Sequence, residues 1–236
     1  MKHIHIRYIS IMIFMQCILF LPSCKVAQWG ESVFRQAEKV SDSYAATMRP
    51  FIKTAVIYDQ FISIADFSAL LLTDEARMIY LDYYFHRTFK TPEEQLIARQ
   101  RLLTENDFYI TFYVVGYQQP VLYTTGRSLF FGEYEAQGAM LGGPDAVWRA
   151  SMIVDGKSYS PTEIRLVSLP VEYRHFFGIN WSQFKFAYKV RFDRRDENNR
   201  EILTSGRHHV SLKFSSPIYD VKLEWIDIAY KNLDIK

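Results

Sequence analysis

Residues 184–192 read Phe-Lys-Phe-Ala-Tyr-Lys-Val-Arg-Phe. Phe184, Phe186, Tyr188, Val190 and Phe192 alternate with Lys185, Ala187, Lys189 and Arg191. Successive strand side chains point to opposite faces, so this period of two predicts a strand with one buried apolar face and one basic face. Two later segments repeat the pattern. Val210, Leu212 and Phe214 alternate with Ser211, Lys213 and Ser215, and Val221, Leu223 and Trp225 alternate with Lys222 and Glu224. The charged run DRRDENNRE between Phe192 and Ile202 reads as a hairpin loop. Three short alternating segments joined by turns argue for an antiparallel sheet structure.

The chain upstream agrees. Phe108 to Tyr117, FYITFYVVGY, and Val121 to Glu135 are rich in β-formers. Gln137 to Asp145 holds three Gly and one Pro and reads as a loop. Trp148 to Val154 runs into Asp155-Gly156, a two-residue hairpin signal, and returns as Lys157 to Tyr159. Thr162 to Leu169 reads as a further strand, and Phe51 to Leu72 as one or two strands broken near Asp59-Gln60. Helices interrupt this pattern. Thr73-Asp74-Glu75 opens one that should run to about His86. Thr91, Pro92 and Glu94 form a capping-box start for a second, ending near Leu103 or Thr104. The expected fold class is therefore α+β, mainly β: an antiparallel β-sandwich, immunoglobulin-like or transthyretin-like, over residues 51–236. An αα unit is inserted at about 73–104, and an N-terminal helix precedes the whole.

Composition fits this class. The 236 residues include 18 Phe, 16 Tyr and 4 Trp, which suit half-buried pleated surfaces. A formal net charge of +2 argues against an electrostatic nucleic-acid binder. Two Cys are too few for a disulfide scaffold or a Cys-rich zinc site.

The N-terminus reads as an address. Lys2 and Arg7 precede an apolar run from Tyr8 to Leu21, too short for a comfortable transmembrane helix. The run ends in Leu21-Pro22-Ser23-Cys24. This resembles the lipobox of bacterial lipoproteins, with Pro22 departing from the usual small residue. The resemblance covers about the first 24 residues. It implies a signal peptide over 1–23, removed in the mature protein, and lipidation of Cys24 by diacylglycerol and an N-acyl chain. Two or three acyl chains anchor stably where one is marginal. Lys25 in place of Asp implies, by the same resemblance, the inner leaflet of the outer membrane, facing the periplasm. Residues 24–50 then form the anchor, a short tether and an amphipathic helix. Its stripe is Trp29, Val33, Ala37, Val40, Tyr44 and Met48, ended by Pro50. Removing 1–23 takes away Lys2 and Arg7 and no acid, so the mature body carries basic and acidic side chains in equal number.

Catalytic motifs do not surface: the chain has no P-loop, G-x-G-x-x-G, H-E-x-x-H or G-x-S-x-G. No catalytic residue, metal ligand or cofactor beyond the lipid is assigned. His208 and His209 are strand neighbours and point apart, which disfavours a shared metal. His86 sits on an aromatic helix face and reads as packed or solvated rather than catalytic. The most suggestive surface is basic: Lys185, Lys189 and Arg191 share a strand face, and a hairpin would add His209 and Lys213 to it. Such a stripe suits lipid phosphates, an acidic glycan or an acidic partner, or it is a solvated face that blunts aggregation. Tyr80, Tyr83, Tyr84, Phe85, Tyr113, Tyr117 and Tyr123 could stack on sugars, but such residues in a β-rich domain are more often core. The expected function is a membrane-anchored, non-catalytic interaction or envelope-assembly module with an envelope protein partner. A glycan-, peptidoglycan- or small-ligand-binding module and an unrecognised hydrolase are the alternatives.

Overall fold

A computed structural model describes residues 42–59, 62–118, 140–143, 146–204 and 206–230. The signal, Cys24, residues 29–41 of the first helix and the segment Val121–Glu135 lie outside them. Among the described residues, nine strands form two antiparallel sheets. Strands β1 (Ile52–Asp59), β2 (Ile62–Leu71), β3 (Tyr109–Gln118), β7 (Phe186–Asp193) and β6 (Glu163–Leu166) make a five-stranded sheet in the order β1-β2-β3-β7-β6. Strands β5 (Lys157–Tyr159), β4 (Arg149–Val154), β8 (Arg207–Ser215) and β9 (Asp220–Ala229) make a four-stranded one in the order β5-β4-β8-β9.

Both sheets contribute to one apolar core. Phe67, Phe112, Val114, Tyr188, Val190 and Phe192 from the first meet Met152, Val210, Leu212, Phe214, Leu223 and Trp225 from the second. Phe67 stacks on Phe214 at 4.3 Å and 7°, and sets its edge against Trp148 at 5.1 Å. Trp225 Nε1 donates to the Phe51 carbonyl at 2.8 Å, tying β9 to the start of β1.

Local signals set several boundaries. Asp155 and Gly156 both take positive φ, 49° and 86°, as a tight hairpin turn requires. Helix α1 (Asp74–Arg87) starts at Thr73, whose hydroxyl accepts from the Ala76 amide at 3.1 Å. Helix α2 (Pro92–Phe108) starts with the expected Thr91–Glu94 capping box and runs to Phe108, four or five residues beyond the expected end. Thr73 is fully buried, so its amide partner has no access to water after truncation. Thr73→Ala is expected to lower unfolding free energy by about 1–2 kcal/mol, read as a shift in urea midpoint at constant slope.

Three expectations are corrected. Segments 184–192 and 210–214 do not pair as a hairpin. The first lies between β3 and β6, the second between β4 and β9, so the charged loop links two sheets. The second face of β7 is not solvated, because Ala187 and Lys189 are buried beneath the helical layer. The strand expected over Thr162–Leu169 is only Glu163–Leu166, and helix α3 (Val171–Phe177) follows it. Tyr83, Tyr173, Phe176 and Phe177 join Met48, Phe51, Leu70 and Val115 in a second core between the helices and the outer face of the five-stranded sheet. Residues 42–48 are helical, and Tyr44 and Met48 pack on that core.

Candidate functional site

The outer face of the five-stranded sheet places Lys189 opposite Tyr113 and Arg191 opposite Thr111, with Glu163 across from Arg191 on β6. Helix α2 lowers Glu105 among these cations. Its Oε1 accepts from Lys189 Nζ and Arg191 Nη2, and its Oε2 accepts from Arg77 Nη1 at 3.0 Å. Arg191 Nη1 also donates to Glu163 at 2.6 Å. Arg77 is buried on α1 and donates through Nε to Asn106 Oδ1 at 2.7 Å. Asn106 Nδ2 donates to Asp74 at 2.8 Å, and Tyr230 Oη donates to the Tyr109 carbonyl at 2.9 Å beside Asn106. One carboxylate thus ties both inserted helices to β7.

The electrostatics follow from this packing. Burial alone would push the Glu105 carboxyl up, but Arg77, Lys189 and Arg191 outweigh it and hold the pKa at about 2. Burial pushes the Lys189 ammonium down, and Glu105 opposes that. A carboxylate held so firmly ionised is not a proton donor near neutral pH, and its three cationic partners give it a cross-linking role in the fold.

The five residues of the expected basic patch are not brought together, and each faces an acid. Lys185 bonds Asp66 at 2.5 Å, Lys189 bonds Glu105, and Arg191 bonds Glu105 and Glu163. On the other sheet Lys213 meets Asp220 at 2.8 Å, and His209 lies 3.7 Å from Glu224. The candidate stripe is divided between two sheets and locally neutralised.

The aromatics expected as stacking platforms occupy one another. Tyr80 and Tyr173 stack at 4.3 Å and 3°, Tyr173 tilts on Tyr113 at 4.9 Å, and Tyr83 contacts Tyr44 and Phe176. Desolvation pushes the Tyr80 phenol up to about 12, with Glu172 adding to it. His86 lies 6.5 Å from the Tyr44 ring at the helix surface. Tyr123 lies outside the described residues.

One convergence was missed in the sequence. His208 Nδ1 lies 3.1 Å from Asp155 Oδ2, and its Nε2 lies 3.2 Å from Thr204 Oγ1. A carboxylate, an imidazole and a hydroxyl in that order are the parts of a hydrolytic triad. Here Nε2 also meets the Thr204 carbonyl at 3.3 Å, and the Asp155 side chain is 61% exposed. Solvent then screens the carboxylate's hold on the ring. The group acts as a clasp between the β4–β5 turn and the entry to β8. Among the described residues, no cluster of three or more His, Cys, Asp or Glu is arranged to hold a metal ion.

The remaining prominent surface is apolar. Leu166 and Phe186 project from the same face of the β6–β7 pair, since Leu166 lies opposite Tyr188. Both are exposed, as are Val171, Ile179 and Phe184 in the connection between these strands. On α2, Leu96 and Ile97 are exposed, as is Phe89 just before the helix, while Asn106 is the helix's one buried residue.

No family model matches the chain, and no match is found among curated proteins or among solved structures.

Proposed function

We propose that this chain is a lipid-anchored envelope lipoprotein acting as a non-catalytic interaction module. The carrying observation is Leu21-Pro22-Ser23-Cys24 at the end of the apolar run Tyr8–Leu21, behind Lys2 and Arg7. On this reading residues 1–23 are removed, Cys24 carries the diacylglycerol and N-acyl lipid, and the body faces the periplasm from the outer membrane. Among the described residues no helix is long and apolar enough to cross a membrane. Protein contact is supported by α2, a 17-residue helix that leaves Leu96 and Ile97 in solvent. The two sheets packed through one core support a sandwich of immunoglobulin-like or transthyretin-like type.

Cys24→Ser is expected to abolish lipid labelling and to release the protein from the membrane fraction. Labelling and fractionation identical to wild type would overturn the anchor. Photocrosslinking from Leu96 and Ile97 in cells should recover a defined envelope protein. Recovery of the chain alone would count against the interaction role.

A further inference from the structure

From the apolar end of the β6–β7 pair, we propose that the tip around residues 178–186 inserts into the surface of the phospholipid bilayer to which the chain is anchored. The inference rests on the lipid-anchor reading of Cys24.

The tip has a built shape. Gly178 takes φ 54° with open space where a Cβ would stand, and a 3-10 turn follows over Gly178–Asn180. The Trp181 amide donates to the Gly178 carbonyl at 3.0 Å, and the Lys185 amide to the Ser182 carbonyl at 3.0 Å. The Phe184 amide donates to Ser182 Oγ at 3.2 Å. These bonds hold the backbone while its apolar side chains point outward. Ile179 is 99% exposed and Phe184 74%, and Phe186 and Leu166 continue the surface along the strands. Isolated exposed apolar residues are ordinary, but a cluster on a hydrogen-bonded protrusion marks a contact surface.

The chemistry suits a lipid headgroup region. Trp181 is half-buried under the Arg174 guanidinium, whose carbon lies 5.1 Å from the ring centroid. Aromatic rings with a polar edge, and basic side chains that reach past apolar ones, are what membrane interfaces collect. Residues 164–186 hold Arg165, Arg174 and Lys185 against Glu172, with Asp66 opposing Lys185. Glu163 likewise opposes Arg165 at 3.7 Å, so the cation this surface offers an anionic leaflet is Arg174 beside Trp181.

Covalent geometry supplies the remaining argument. Asp42 lies eighteen residue steps after Cys24. Fully extended, they reach about 60 Å, while a body of this size has a radius of gyration of about 16 Å. An acylated Cys24 therefore keeps the domain within a few molecular radii of the bilayer, where even a weak apolar contact is populated through high effective concentration.

The test uses the mature, lipidated protein in vesicles of phosphatidylethanolamine with a minority of phosphatidylglycerol. Once Cys24 is acylated, Ile179→Cys or Phe184→Cys supplies the single free thiol for a polarity-sensitive fluorophore. Ile218→Cys, at the 80% exposed residue near the β8–β9 turn, is the reference. Labels at 179 and 184 should shift to the blue and be quenched several-fold more strongly by nitroxide-labelled lipid than a label at 218. Equal quenching at the three positions, with Cys24 acylated and the protein in the vesicles, would overturn the inference and leave the anchor standing. Protection of positions 179 and 184 in whole envelopes but not in pure lipid would assign the tip to a protein and overturn it as well. A thiol-reactive Cys24 with no vesicle association would overturn the anchor reading and the tip with it.

Discussion

Glu105→Ala is expected to lower unfolding free energy by about 3–4 kcal/mol. The loss comes less from the carboxylate than from what it leaves behind. Arg77 is buried, Lys189 is nearly so, and Arg191 would keep only Glu163. Removing one partner of a buried ion pair strands uncompensated charge, whereas replacing the whole group with apolar side chains need not cost anything. The pH dependence has a definite sign. The folded pKa of Glu105 is depressed from 4.5 to about 2. Its contribution is therefore complete above about 4.5 and fades as pH falls from there toward 2. The size of that shift bounds the contribution at about 3 kcal/mol. Urea titrations of wild type and Glu105→Gln across this window should converge at low pH. Curves that stay parallel would show that Glu105 does not carry the charge linkage.

Phe67→Ala is expected to cost about 3–5 kcal/mol. Phe67 is fully buried where the two sheets meet, stacked on Phe214 and edge-on to Trp148. Truncation removes both ring contacts, which add to simple area burial, and leaves a void between sheets that cannot collapse freely. Phe67→Leu should cost roughly half as much, because it refills part of the volume. The measurement is the urea midpoint of each variant. A loss below about 1 kcal/mol for the Ala variant would mean that the sheets do not share a core at this point.

The elements legible in the sequence were those written by neighbours. The Thr91–Glu94 capping box, the Asp155-Gly156 turn and the alternation in 210–214 and 221–225 depend on contacts within a few residues. What was not legible depends on distant partners. Lys189 and Arg191 read as a solvated face because the Glu105 that neutralises them lies 84 and 86 positions away. The partner of 184–192 was misassigned for the same reason: alternation specifies which face is apolar, not which strand lies alongside. Helix α3, VEYRHFF, has the aromatic content of a strand, yet Pro170 before it and Gly178 after it were available as helix-boundary signals. The Asp155–His208–Thr204 clasp spans 53 positions and left no local trace. The proposed anchor motif, Leu21-Pro22-Ser23-Cys24, is local and so suggests a location from sequence alone, whereas a partner contact leaves no such local pattern.

The proposed lipoprotein role requires Cys24 to be the acylated first residue of the mature protein. Intact-mass and N-terminal peptide spectrometry of the protein purified from membranes tests it directly. The expected result is a chain beginning at Cys24, with mass added by a thioether diacylglycerol and an amide-linked acyl chain. A chain beginning at Met1, or at any residue other than Cys24, with an unmodified thiol at Cys24 would contradict it.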